Sequence, residues 1–579
     1  MFEYYNDDRP SRLSFPNAQK ATPDTRFTYD PNYSRLGSMQ DGLGVTTWTY
    51  YPPGELGALR VAAEGGPLSN DTITYQYDAL YRVSQRAING VAQSYTYDAL
   101  GRTTSNSNAL GSFTYAYDGA TTRLQDTQFP NGQTTHYDYY GNLNDHRLQR
   151  ITHRSPDGSL LSRFTYTYNP VGFITDWVQE RIAGTTTWNM TYDNADQLLQ
   201  VTSEQGGANA IMYGYAYDSA GNRLFENINS LQRSFSYNSL NQLIASSDTN
   251  VNSMQFEWDA RQRLATIIQP TNTSAFSYDG LGRWVELTEK QNNAVISDKR
   301  FVWARTTLSE ERDSSGSVVT KRYFDQGFQE GTNNYFFTRD HLGSIREICD
   351  TMGMLRAVYD YEPYGRRRTI LGAGGDFGFT GYYYYDSAGL ALALFRAYDP
   401  ASAQWLSRDP AGEKHWNSEL GQLPWPGSQG LYSYGSRNPV NLTDPLGLFE
   451  VSPLKPTDPD SGLKPGEATI VCGASGNIEP WIPPYYDGWL KPIVDCIREH
   501  EKSHARDAKK DVNAQCKDKK NKGRMVTASD EDEAKESERR AYQAEIECLL
   551  RAIKNNRFMD WEGSLKSALE QARSGQCGY

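Results

Sequence analysis

Residues 1–448 contain only 5 lysines and a single cysteine, Cys349, within a chain of 579 residues. No long apolar run occurs anywhere, which excludes a membrane-spanning helix. The opening MFEYYNDDRP has neither a basic start nor an apolar stretch, so no cleavable signal is read. Secretion or translocation would then use a specialised system, with the chain cytoplasmic beforehand. A basic excess is also missing: 58 Lys and Arg stand against 70 Asp and Glu, and a net charge of −12 speaks against a polyanion-binding protein. Phenylalanine is scarce beside tyrosine, 21 against 40. With 49 Gly and 26 Pro, that balance favours many short β-strands joined by turns.

The missing lysines and cysteines are gathered at the other end. Residues 449–579 hold 13 lysines, five cysteines and only 4 tyrosines. So sharp a shift marks a boundary, and the Pro- and Gly-rich stretch at 449–466 reads as a linker. The tail carries 21 basic and 23 acidic residues, a near-neutral balance that argues against a nuclease and predicts no nucleic-acid partner.

The first part repeats. Aromatic-Asp or aromatic-Asn pairs begin at Tyr77, Tyr97, Tyr117 and Tyr137, and again at Tyr217, Tyr237, Trp258 and Tyr278, at steps of about twenty residues. Tyr168 and Tyr192 lie between the two series at looser spacing. Several units run on into Leu-Gly-Arg or Gly-Asn-Arg, as in YTYDALGR (95–102) and YAYDSAGNRL (215–224). Each unit predicts a strand of alternating aromatics, then a tight turn in which Asp or Asn accepts hydrogen bonds and Gly supplies a positive φ. Twenty residues hold two short strands and two turns, so the expected fold is mainly β, a solenoid or shell of stacked hairpins.

The unit resembles the YD repeat of RHS proteins, and the following region is similar to the RHS-associated core. Matching segments include YFFTRDHLGSIRE (335–347), YDYEPYGR (359–366), AGLALALFRAYDP (388–400), SRDPAG (407–412) and RNPVNLTDPLGL (437–448). The resemblance implies repeats at 1–284, a core at 285–448, and a variable C-terminal polypeptide at 449–579. It implies a hollow shell closed by the core, a cognate immunity protein and a delivery or chaperone partner. This chain opens almost inside the repeats, whereas enclosing RHS proteins are generally longer.

Two Asp-Pro-x-Gly turns stand at the junction, Asp409–Gly412 and Asp444–Gly447. A close pair of carboxylates can activate water on one side and protonate a leaving amine on the other. RHS proteins cut themselves after the Leu of DPxGL at an aspartyl site. Carried over, Asp409 and Asp444 are the pair and Leu448–Phe449 is the scissile bond, with Arg408 or Arg396 holding one carboxylate ionised. The two aspartates are 35 residues apart by number, longer than the family interval.

In the tail, His500-Glu501-Lys502-Ser503-His504 places two imidazoles one helical turn apart, with Glu501 set to deprotonate a metal-bound water. This predicts a zinc peptidase acting on a protein or peptide. Absence of a third tail histidine calls for a carboxylate ligand. Glu538 is the first choice and Glu545 the second, on a helix where Glu538-Arg-Arg-Ala-Tyr542 resembles the ExxxD segment of Glu-ligand zincins. Asp507 is placed to orient a ligating imidazole, and Cys496 could bridge to Cys548. No CxxC pair occurs, which disfavours a cysteine zinc site. The tail is expected to be small and mainly α-helical. Taken together, the sequence predicts a self-cleaving toxin carrier with a zinc peptidase cargo; the alternative is a non-catalytic surface protein whose tyrosines bind carbohydrate or a partner.

Overall fold

The computed structural model describes residues 2–448, apart from 8, 34, 207, 239–242, 247–253, 373–374 and 410–430, together with two short strands in the tail. The fold is mainly β. From Phe2–Tyr4 to Leu243–Ser246, each strand pairs antiparallel with its neighbours in sequence, building a meander of 22 strands. A second meander of 12 strands runs from Gln255–Trp258 to Arg367–Leu371. A small four-stranded sheet, Tyr383–Tyr385, Leu390–Leu392, Ala397–Asp399 and Gln404–Trp405, packs on the second.

The repeat has a physical cause in three contacts. The turn aspartate accepts local N–H groups through its side chain: Asp98 Oδ1 takes those of Leu100 and Arg102, both at 2.9 Å, while Gly101 sits at φ +81°. Asp98 Oδ2 then holds the Arg102 side chain at 2.7 Å. That arginine lies over the tyrosine of the next unit, 4.5 Å from the Tyr117 ring centroid. Finally the tyrosine hydroxyl donates to the carbonyl of the first residue of the preceding strand, as Tyr97 to Val83 and Tyr117 to Thr103, each at 2.8 Å. Tyr139, Tyr168, Tyr192, Tyr217, Tyr237 and Tyr278 do the same. This bond explains why tyrosine, not phenylalanine, fills the position. The fourth unit departs from the expected interval. Tyr137 lies within the strand Thr134–Tyr139, and Tyr139 takes the locking role.

The two meanders meet along their turns. The Gly280 N–H donates to Asp41 Oδ2 at 2.8 Å, and Arg312 donates to the carbonyls of Ser69 and Asn70. Further along, buried charges cross the seam. Arg181 of the first sheet contacts Glu347 at 3.0 Å and Asp360 at 2.6 Å in the second, while Arg346 contacts Asp360 at 2.8 Å. Beyond the small sheet, the segment 431–448 packs back on the repeats: Asn441 Oδ1 accepts the Ile174 N–H at 2.9 Å, and its Nδ2 donates to the Tyr192 hydroxyl at 2.8 Å. That packing fixes the position of the junction. In the tail, Thr469–Cys472 pairs antiparallel with Ile478–Trp481. No helix of the described residues is long and apolar enough to cross a membrane.

Candidate functional site

Arg396 stands just before the strand Ala397–Asp399, in the segment that turns back from Leu390–Leu392. Its guanidinium stacks on Trp405, 4.4 Å from the ring centroid, which leaves its N–H groups facing the chain end. Nη2 reaches Asp444 Oδ2 at 2.7 Å and Asp409 Oδ2 at 3.2 Å. Nε donates to the Gly447 carbonyl at 2.5 Å and Nη1 to that of Leu431 at 3.2 Å. One cation thus gathers both carboxylates and two backbone carbonyls of the segment 431–448 that leads to the junction. Arginine suits this because its planar fork carries five donors and stays charged when buried.

The Asp444-Pro-Leu-Gly turn closes through the Gly447 N–H onto the Asp444 carbonyl at 3.1 Å, with Gly447 at φ +75°. A side chain at Gly447 would also press on Arg396, since a Cβ there falls 3.1 Å from the arginine Cβ. Asp444 Oδ1 accepts the Leu448 N–H at 2.8 Å, so the same carboxylate that meets Arg396 also pins the last residue of the body. The Tyr382 hydroxyl donates to the Asp444 carbonyl at 2.5 Å. Burial, reinforced by the Asp444 charge, pushes that phenol far up and keeps it a donor. Asp444 is buried and Asp409 partly open, with side-chain exposures of 2% and 17%.

The structure therefore brings Asp409, Asp444 and Leu448 together, despite the long interval in sequence. Of the two arginines considered, Arg396 bridges the pair; the adjacent Arg408 is exposed. Tyr382 and Trp405 were missed, since only their places in the folded core bring them here. Phe449, His500, Glu501, His504, Asp507, Glu538, Tyr542, Glu545, Cys496 and Cys548 lie outside the described residues. Among the described residues no group of three His, Cys, Asp or Glu side chains is placed to hold a metal ion.

Residues 140–440 match the Teneurin YD-shell family. The tRNA nuclease WapA of Bacillus subtilis (strain 168) is 24% identical over 283 residues, which cover 44% of this chain and 12% of the nuclease. Double-stranded DNA deaminase toxin A of Burkholderia cenocepacia (strain H111) is 23% identical over 332 residues, covering 45% of this chain and 22% of the toxin. Among solved structures, the Photorhabdus luminescens Tc holotoxin pore superposes with a TM-score of 0.54 at 16% identity, over 78% of this chain and 28% of that one. This likeness shows a shared shell-like fold. The chain spans less than a quarter of the length of these curated relatives.

Two expectations are corrected. The zinc peptidase assigned to His500, Glu501 and His504 does not stand, because the relatives are named as nucleases and a DNA deaminase toxin. A paired imidazole motif without a ligand set fixed by the sequence is too short to specify that chemistry. The exclusion of nucleic acid conflicts with the same names. Charge summed over the tail hides a basic run, CKDKKNKGR at 516–524, so near-neutrality was a weak reason.

Proposed function

Because this chain belongs to the Teneurin YD-shell family, we propose that it is the carrier portion of a polymorphic toxin, which cuts itself after Leu448 and frees residues 449–579 as the toxic part. The observation that carries the cleavage reading is the meeting of Asp409 and Asp444 on one guanidinium nitrogen, with the Leu448 N–H held by the second. In the cleavage step, one carboxylate removes a proton from water as its oxygen attacks the Leu448 carbonyl carbon. The other, which carries the one proton the pair shares, gives it to the Phe449 nitrogen as the peptide bond breaks. Arg396 positions both acids and, through the Gly447 carbonyl, the backbone just before the bond. Its charge also offsets the negative charge gathered where Asp444 is buried and Asp409 is partly open to water.

For the freed tail, the names of the relatives favour an activity on nucleic acid. Secretion or translocation, a cognate immunity protein and a delivery partner belong to the same proposal. Intact-mass analysis of the purified chain tests the cleavage: a fragment beginning at Phe449 is expected from the parent and absent from Asp444→Asn. Only full-length mass from the folded parent would leave both aspartates as turn residues. Toxicity of the tail with its nucleic acid left intact would overturn the assigned substrate class.

A further inference from the structure

Phe379–Gly381 forms a single tight turn, with Thr380 at φ +48° and Gly381 at φ +77°. The turn is fastened to the second sheet. The preceding Gly378 carbonyl accepts the Ile345 N–H at 3.0 Å, and Ser344 Oγ accepts the Thr380 N–H at 3.0 Å. It closes where the Tyr382 N–H donates to the Phe379 carbonyl at 3.0 Å. Tyr382 is 4% exposed, and its ring meets that of Trp405 in a T-shaped contact, 6.0 Å between centroids. From this fixed base its hydroxyl reaches across to the junction and donates to the Asp444 carbonyl at 2.5 Å.

That carbonyl governs where the carboxylate of the same residue points. It also accepts the Gly447 N–H at 3.1 Å, the bond that closes the Asp444–Gly447 turn. Pro445 follows it and has no N–H, so the peptide plane between the two residues can be held by hydrogen bonds only through this oxygen. The Asp444 side chain leaves the same backbone, with Oδ2 on Arg396 and Oδ1 on the Leu448 N–H. Rotating the plane would draw the carboxylate away from both. The other carbonyls of the turn have holders of their own: Leu446 takes the Phe395 N–H at 3.2 Å, and Gly447 takes Arg396 Nε at 2.5 Å. We propose that Tyr382 is a positioning residue for the self-cleavage, its hydroxyl fixing the Asp444 peptide so that the carboxylate faces the bond after Leu448. It acts through Asp444 and takes no proton from the reaction. The inference rests on the self-cleavage reading, and adds to it a donor that the second sheet holds in place.

Time-resolved cleavage tests the role. In the full chain made by cell-free translation and sampled by intact mass, Tyr382→Phe should release the tail fragment about tenfold more slowly than the parent, because a small misplacement of a reacting group is that costly. The rate should keep the parent's pH dependence. Tyr361→Phe is the matched control: Tyr361 is also buried, but its hydroxyl donates to the Ile345 carbonyl at 2.7 Å, so this variant should cleave at the parental rate. An unslowed Tyr382→Phe, equal slowing of the two variants, or a pH profile of new shape would each overturn the proposal. Two substitutions of matched size guard against a folding defect. Tyr382→p-aminophenylalanine keeps a donor and should restore the rate, whereas Tyr382→p-methylphenylalanine should not; equal rates for the two would reject the role. If the unsubstituted chain yields no fragment, the cleavage reading fails, and hydrogen exchange then decides the contact. In the Asp409→Asn chain, adding Tyr382→Phe should speed exchange of the Gly447 and Leu448 amides about tenfold, the worth of one hydrogen bond. Unchanged exchange would show that Tyr382 does not hold the turn.

Discussion

Asp409 and Asp444 meet on the same nitrogen of Arg396, at 3.2 and 2.7 Å, although 34 residues separate them in the chain. Removing the cation would leave two carboxylates facing each other in a largely buried site. Arg396→Met should therefore abolish the tail fragment and also lower stability, by about 3–5 kcal/mol for a buried pair left without its partner. Intact mass reads the first effect and a urea titration the second. A variant as stable as the parent would show that the guanidinium is not what holds this junction together.

The tyrosine ladder makes a smaller and more local prediction. Tyr278 is partly buried, burial pushes its phenol up, and its hydroxyl donates to the Leu264 carbonyl at 2.9 Å. Tyr278→Phe keeps the ring and the contact with Arg263, whose guanidinium lies 4.3 Å from its centroid. Only one hydrogen bond is lost, together with the satisfaction of one carbonyl, so the cost should be about 1–2 kcal/mol with no change of fold. A neutral substitution in thermal unfolding would reduce the ladder to packing alone.

Much of this was legible in the chain because the repeat is written in local chemistry. Asp98, Gly101 and Arg102 lie within five residues and form their turn without help from the rest of the protein. What tyrosine does was not legible, since its hydroxyl partner sits on the preceding strand, fourteen to twenty residues away. The slip from Tyr137 to Tyr139 has the same origin: pairing register, not spacing, selects the locking residue. At the junction the sequence left Arg408, beside Asp409, and Arg396 as alternatives. The structure selects Arg396, whose guanidinium stacks on Trp405 and reaches both aspartates. The tail offered a motif without the neighbours needed to read it.

Acid should weaken the body in two stages, and the first belongs to histidine. His341 and His153 are enclosed at the seam, and burial holds both below the ordinary imidazole value of about 6.5. His341 donates to the Val440 carbonyl at 2.8 Å and packs against Tyr166 and Trp177, with Asp340 and Arg346 as the nearby charges. His153 donates to the Arg339 carbonyl at 2.9 Å and accepts from Thr135, near Glu347 and Asp340. As pH falls below about 6.5 the unfolded chain takes up protons first, so stability is full above that value and declines beneath it. The double variant His153→Gln, His341→Gln retains side-chain donors for the carbonyls but cannot titrate. Its urea midpoint should stay flat between about pH 6.5 and 5, where that of the parent falls. Parallel curves would assign the decline to other groups.

The second stage belongs to the carboxylates that cross the seam. Burial alone would raise Glu347, but Arg181, His153 and the hydroxyls of Thr338 and Ser162 outweigh it and hold its carboxyl below the usual value. Asp360 is likewise lowered against its burial by Arg346 and Arg181. For depressed acids the sign is fixed: their contribution is complete above the unfolded value, near 4 to 4.5, and disappears as pH drops through the lower folded value. Glu347→Gln keeps the volume but removes the charge opposite Arg181, 3.0 Å away, so it should cost about 3 kcal/mol near neutrality. The same change should make the acid limb below about pH 4.5 shallower, because one lowered carboxylate no longer titrates. Arg181 also serves Asp360, so Arg181→Met should cost at least as much, and the double variant less than the two losses added. Strict additivity in that cycle would mean the charges are neighbours without coupling, and would remove the electrostatic reason for the two sheets to close on each other here.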